Sequence, residues 1–235
     1  MVFRPQFWPT VTTLPLVVLG LALGVWQLQR LEWKSELIRK IEAGLAEPPQ
    51  PVDDLLAEVG KLDDAAFRAV TATGTFDHRH EAHVFGTAPD GQVGYRVFTP
   101  LRSDPLAVVF VARGFVPAAL KDPATRPGGQ IEGRITVTGI ARLPQPANAF
   151  QPDNMPARNE WFTVDLDAMA TEAGVTDALP VYISAGPTPV PGGWPRGAVP
   201  QPNLPNNHLG YAVTWFALTL AVAVIYVLYH LRDRT

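Results

Sequence analysis

From Leu209 to Tyr229 the chain runs through 21 residues without one charged side chain. At 1.5 Å rise per residue an α-helix of that length covers about 31 Å, the thickness of a bilayer's hydrocarbon core. Within lipid a backbone must satisfy its own hydrogen bonds, so the run predicts a membrane-spanning helix and excludes a loop or an open strand. His230, Arg232, Asp233 and Arg234 close it with a polar end. At the other threshold stand Asn206, Asn207 and His208, followed by Tyr211, Ala212 and Trp215. Spacings of three, four and seven place His208, Tyr211, Ala212 and Trp215 on one helical stripe, the first candidate site.

A second apolar stretch runs from Phe7 or Trp8 to about Trp26, interrupted only by Pro9, Pro15 and threonines. Trp8 and Trp26 bracket it as interfacial aromatics do, and a span is expected over residues 8–28. The rival reading is a cleaved secretory signal, with Arg4 as its n-region and Ala22 and Gly24 at its cleavage site. Gly20 and Gly24, four apart, favour a retained helix because small residues let another helix approach closely within lipid. The plainer account is two glycines that merely occur in an apolar run. Beyond Trp26 good helix formers continue to Ala46, with no proline until Pro48 and Pro49, so the helix should extend past the membrane surface. There Gln27, Arg30 and Lys34 share a face. It reads either as a snorkelling edge at the headgroups or as an anion clamp.

About 180 residues separate the two spans, enough for one domain with its own core. The expected organisation is residues 1–7 and 230–235 in the cytoplasm, spans at 8–28 and 206–229, and an extracytoplasmic domain over 29–205. Charge alone divides on the orientation: Arg4, Arg232 and Arg234 favour cytoplasmic termini, whereas Arg30, Lys34, Arg39 and Lys40 oppose it. Glu32, Glu36 and Glu42 accompany those cations, and long domains translocate largely regardless of charge. Net charge is −3, which offers no basic surface to nucleic acid. Without cysteine the chain has no disulfide, thiolate metal site, iron–sulfur cluster or Cys-x-x-Cys-His haem attachment.

The domain reads mostly as strands. Over Phe67 to Phe76, Val70, Ala72, Gly74 and Phe76 alternate with Arg68, Thr71 and Thr73; over Arg134 to Ala141, Ile135, Val137, Gly139 and Ala141 alternate with Arg134, Thr136 and Thr138. Further strands are expected at His83 to Gly86, Tyr95 to Leu101, Ala107 to Arg113, Trp161 to Val164 and Val181 to Ser184. The glycines within two strands suggest bulges or bends of a curved sheet or small barrel. A short helix from Leu166 to Ala173 should end at Gly174. Runs of strands without long alternating helices imply an α+β architecture: a mainly antiparallel sheet or small barrel flanked by two terminal transmembrane helices. Pro180 to Pro205 holds eight of the 24 prolines and reads as an extended linker. Gln145 to Glu160, with Asn148, Asn154 and Asn159 among prolines, reads as a second long loop.

No Gly-x-Ser-x-Gly, phosphate-binding loop or His-Glu-x-x-His motif occurs. His78, His80 and His83 form the one metal-like cluster. On a strand the first two would share a face without the third, and histidines in a polar turn are more often solvated. Arg113 and Gly114 end an apolar strand, where Gly114 is expected to supply a turn or a positive φ and Arg113 to pair locally.

Four motifs carry a resemblance: Gly24-Val-Trp-Gln-Leu-Gln-Arg-Leu-Glu-Trp-Lys34, Gly94-Tyr-Arg-Val-Phe-Thr-Pro-Leu101, Val111-Ala-Arg-Gly-Phe-Val-Pro117 and Asn206-Asn-His-Leu-Gly-Tyr-Ala-Val-Thr-Trp-Phe216. In order and spacing they resemble the Surfeit locus protein 1 family, as do Asn159-Glu-Trp161 and Asp165. Family members often carry tryptophan where this chain has Phe115. The absence of a long Arg- and Ser-rich presequence points to a bacterial member of the inner (plasma) membrane.

The resemblance implies an assembly factor for haem-copper cytochrome c oxidase with its central domain in the periplasm. It would not be an enzyme, and would assist the placement of haem A, received from haem A synthase, in oxidase subunit I. It also makes His208 the expected haem ligand. A neutral imidazole suits haem iron, Tyr211 and Trp215 could pack along the macrocycle, and Arg30, Gln27 and Lys34 would serve the propionates if the two spans lie side by side. Two other functions remain open on the residues: a membrane scaffold that holds subunit I without haem, and a metal carrier built on His78, His80 and His83.

Overall fold

The computed structural model describes residues 2–88, 90–103, 108–147, 150–197 and 206–232. In chain order its elements are β1 (Val2–Phe3), α1 (Phe7–Ala46), β2 (Gln50–Pro51), α2 (Val52–Glu58), β3 (Ala69–Phe76), β4 (Ala82–Thr87), β5 (Val93–Arg102), β6 (Val108–Pro117), β7 (Arg134–Arg142), α3 (Leu166–Glu172), β8 (Ala178–Ala185), α4 (His208–His230) and β9 (Leu231–Arg232), with short 3-10 turns between several of them. Two compact units result: residues 1–40 with 202–235, and residues 41–201.

In the helical unit α1 and α4 are each long and apolar enough to cross a membrane. The two glycines four apart do more than occur in an apolar run. A Cβ on Gly20 would run into the Thr219 hydroxyl, and one on Gly24 into the Phe216 ring, so this is where α4 lies against α1. Further along the antiparallel pair the Thr10 and Tyr226 hydroxyls lie 2.6 Å apart. At the far end β1 pairs with β9, and His230 is buried among the rings of Phe3, Tyr226 and Tyr229. Asp233 and Arg234 lie outside the described residues. As expected from the run of helix formers, α1 continues without a break to Ala46.

The second unit is a barrel. Its strands follow the order β2-β3-β7-β8-β6-β5-β4, and β3 also pairs with β5, which closes β3, β7, β8, β6 and β5 into a five-stranded ring. Within that ring only β6 and β8 run parallel, so the pairing is mainly antiparallel, as the strand pattern implied. Along β3, Val70, Ala72, Gly74 and Phe76 are buried while the alternating threonines are not, and Val70, Val111, Val137 and Ile183 help fill the interior. On the outer face α3 lays Leu166, Met169 and Ala170 over Phe98, Phe110 and Tyr182. Asp165 caps α3, accepting from the Ala168 amide at 3.0 Å, and Gly174, at φ +62°, ends it.

Four sequence expectations need correction. The β3–β7 register runs unbroken through Gly74 and Gly139, so these glycines make no bulge. They are bare because the Arg102 carbonyl, where β3 meets β5, and the Ser184 carbonyl, on the neighbouring β8, occupy the space of a Cβ. The ladder irregularities fall instead between Val97 and Phe98 and between Val108 and Phe110. Residues 161–164 form no strand: the Phe162 and Thr163 amides donate to Asn154 Oδ1 at 2.8 and 3.0 Å, which leaves only a single bridge from Trp161 to Val84. Residues 180–185 of the expected linker belong to β8, 186–197 are irregular apart from one 3-10 turn, and 198–205 lie outside the described residues, as do Ala107 and Asn148. The fourth correction is α2, which the sequence reading missed; it buries Val52 and Leu55 against the barrel core.

Candidate functional site

The membrane-threshold stripe divides in the structure. His208 and Ala212 face α1, with Ala212 buried; Trp215 is half-buried; Tyr211, 57% exposed, points away. Gln27 meets His208 directly. The His208 Nδ1–H donates to Gln27 Oε1 at 2.7 Å, which orients the ring and turns Nε2 away from that bond. Two helical turns further along α1, Ser35 Oγ accepts from Asn206 Nδ2 at 3.1 Å, and the Asn206 Oδ1 is buried without a partner among the described residues. Arg30 is exposed, with its guanidinium 4.5 Å from the Trp33 ring centroid. Lys34 is half-buried. Of the six residues picked from sequence, then, Gln27 and His208 are joined by a bond, whereas Tyr211 and Arg30 stand outside that contact. Ser35 went unnoticed because a lone serine in a charged helix carries no periodic signal.

Haem iron needs a neutral imidazole with a free nitrogen, and an oriented His208 with Nε2 open satisfies that requirement. The second-layer hydrogen bond from a ligand's other ring nitrogen is a general feature of metal-binding histidines. Arg30, without a carboxylate partner among the described residues, has the charge to meet a propionate.

In the barrel the three histidines do not behave as a solvated cluster. His83, in β4, is 4% exposed. His78 and His80 sit on the 3-10 turn that precedes β4, and each ring goes to a separate partner: His78 Nε2 donates to the Ile131 carbonyl at 2.8 Å, and His80 Nδ1 to Asp77 Oδ2 at 3.1 Å. Among the described residues no three His, Asp or Glu side chains are placed to hold a metal ion. The metal-carrier geometry is therefore not built.

What the histidines border instead is a buried ionic network centred on Glu81. Arg113 Nη1 donates to Glu81 Oε1 at 3.2 Å, and Arg126 Nη2 to Oε2 at 2.5 Å, all three side chains being almost fully buried. Gln130 adds a donor at 3.2 Å, and Arg113 also bonds the Gly129 carbonyl. Asn159, held at φ +50°, ties His83 in place: its Oδ1 accepts from the His83 amide at 3.1 Å, and its Nδ2 donates to His83 Nδ1 at 3.1 Å. Burial pushes the Glu81 carboxyl up, but His78 and the two guanidiniums overcome it and hold it down at about 2. Burial drives His83 down to about 4 against the pull of Glu81, so it is neutral at pH 7. Burial likewise lowers Arg113 to about 10, with Glu81 opposing. Asp77 is kept far below the usual carboxylate range by Arg79, then by Arg102 and His80. Arg113 thus pairs across 32 residues and not locally, whereas Gly114 has the expected positive φ, +135°.

Two helices long and apolar enough to cross a membrane, bonded through a histidine and a glutamine, together with a closed β-barrel, define the class: a β-barrel protein with two candidate membrane spans. Comparison with known proteins gives the class a name. Residues 14–220 match the SURF1 family. The chain is 38% identical to human Surfeit locus protein 1 over 234 residues, covering 92% of this chain and 75% of that protein. It is 36% identical to a SURF1-like protein of Monosiga brevicollis, covering 94% and 86%, and 31% identical to one of Caenorhabditis elegans, covering 94% and 74%. The chain belongs to the SURF1 family.

Proposed function

We propose that this protein assists the assembly of haem-copper cytochrome c oxidase by delivering haem A to subunit I, with haem A synthase as the donor. The family is known for cytochrome c oxidase assembly factors, which supports the oxidase as the destination. The observation that carries the haem reading is the 2.7 Å bond between His208 and Gln27. It orients the imidazole at the end of an apolar helix, where an ionisable group is costly unless it has work to do. His208, through Nε2, would hold the iron of a bound haem. Trp215 would offer an apolar wall, and Arg30 with Lys34 would meet the propionates. The protein's own part is to bind, orient and release, with no turnover. In this reading the chain lies in a bacterial inner membrane with its barrel in the periplasm.

The test is an absorption spectrum of the full chain purified after co-expression with haem A synthase. Wild type should carry haem, and His208→Ala should lose its Soret band. If the alanine variant keeps haem with the same spectrum, His208 is not the ligand. If wild type purifies without haem but with an oxidase subunit, the scaffold reading replaces this one.

A further inference from the structure

Three arginines on the outer face of the barrel have no carboxylate partner among the described residues: Arg96 on β5, Arg142 on β7, and Arg196 in the loop after β8. Arg134 and Arg158 also lack one among the described residues, but neither lines the recesses described next, and most other arginines of the domain are paired. Arg113 and Arg126 share Glu81, and Arg79 and Arg102 share Asp77. Arg96 and Arg142 line one recess of 180 Å³, and Arg96 and Arg196 line a second of the same volume. Arg96 and Tyr182 lie in both linings, so the two recesses adjoin as an arginine-lined groove on this face. Phe162 walls one end and Phe115 the other.

The groove is anchored. Arg142 is opposite Tyr182 in the β7–β8 ladder, and Arg96 is opposite Phe115 in the β5–β6 ladder. Arg196 is stitched to β6 by two backbone bonds with Phe115, at 2.9 and 3.0 Å, and Gly114 has its positive φ where the Arg196 carbonyl presses in. On this side of the barrel β6 and β8 lie between the strands that carry Arg96 and Arg142. Each guanidinium lies over an aromatic ring: Phe98 at 6.0 Å, Phe67 at 4.5 Å and Trp194 at 4.1 Å. Such stacking holds a planar fork while leaving edge N–H groups for an incoming anion; Arg196 directs its Nε–H to the Gly193 carbonyl at 3.3 Å and presents its Nη groups.

We infer that this groove docks an extended acidic segment of a partner protein. Charge complementarity selects the occupant: three guanidinium forks on a domain whose chain carries net −3 are a local exception, and carboxylates on alternate residues of an extended peptide, about 7 Å apart, can meet successive arginines. Aromatic walls between the charges suit peptide side chains. A lipid headgroup surface is too flat to fill two recesses set into a curved barrel.

The test uses the full chain in detergent and a fluorescein-labelled peptide with glutamates on alternate positions, read by anisotropy. Wild type should bind it saturably and more weakly as salt rises, and the same peptide with glutamines should not bind. The triple variant Arg96→Gln/Arg142→Gln/Arg196→Gln should bind at least about tenfold more weakly with an unchanged circular dichroism spectrum, whereas the exposed control Arg134→Gln should match wild type. The proposal is overturned if wild type shows no saturable binding, if the triple variant or the neutral peptide binds as wild type does, or if Arg134→Gln loses as much as the triple. It is also overturned if only vesicles of anionic phospholipid, and not the peptide, respond to the triple substitution.

Discussion

Glu81 and Arg113 meet at 3.2 Å across 32 residues of sequence, and both side chains are all but sealed from water. Removing one partner from such a pair leaves an uncompensated buried charge. Here Glu81 answers two guanidiniums at once, and Arg126 Nη1 is already buried without a partner. Glu81→Gln should therefore lower the stability of the barrel by about 3–5 kcal/mol. Chemical denaturation of the full chain in detergent, followed by far-ultraviolet circular dichroism, checks it. A loss under about 1 kcal/mol, the range of exposed pairs, would show that the network is not the pin it resembles.

Acid should weaken the barrel in two stages. His83 falls from 6.5 to about 4 on folding, so the unfolded chain binds its proton first and stability declines as pH drops from about 6.5 to about 4. Glu81 falls from 4.5 to about 2, so its contribution is present above 4.5 and is lost as pH falls toward 2. The denaturation midpoint should thus decrease from pH 7 to pH 5, and again to pH 3. His83→Gln should flatten the first stage and spare the second; a midpoint equal at pH 7 and pH 5 in wild type would refute the assignment.

The two long helices, the barrel strands and the end of α3 were legible because each repeats a local rule. Leu209 to Tyr229 has length and apolarity, Val70 to Phe76 has period two, and Gly174 has the chemistry of a helix stop, whereas the Asp165 cap was not read. The Glu81 network was not legible, because its members lie at positions 81, 113, 126 and 159 and nothing local in the sequence pairs them. His83 reads as a polar-turn histidine until the fold buries it beside Arg126. The same limit applies at the threshold: helical spacing put Tyr211 and Ala212 on one stripe with His208, but only the packing of α4 on Gly20 and Gly24 decides that Ala212 faces in and Tyr211 out.

That packing can be tested by size. A side chain at Gly24 would occupy the space of the Phe216 ring, and forcing extra methylenes into a fitted contact costs about 1–3 kcal/mol. Gly24→Leu should push α4 from α1, and nitroxides placed at Ser35 and Asn206, bonded at 3.1 Å in wild type, should lose their strong dipolar broadening. Gly210→Leu is the control, since nothing lies within 4 Å of that position. Equal broadening in both variants would mean that the glycine contact does not hold the pair.

Gln27 supplies the sharpest test of how His208 is prepared. Its Oε1 holds the Nδ1 proton, and loss of a second-layer partner of this kind weakens metal binding by about 10–100-fold. Gln27→Leu removes the acceptor while filling similar volume, so haem titrated into the detergent-solubilised variant should bind within that range more weakly, with the same ligand identity in the spectrum. Gln27→Glu keeps an acceptor at the same place and should restore affinity, since a carboxylate strengthens the Nδ1–H bond. Leucine binding as tightly as wild type would separate Gln27 from the haem site, whereas a spectrum that changes ligand type would mean that another residue takes the iron once the imidazole is free to turn.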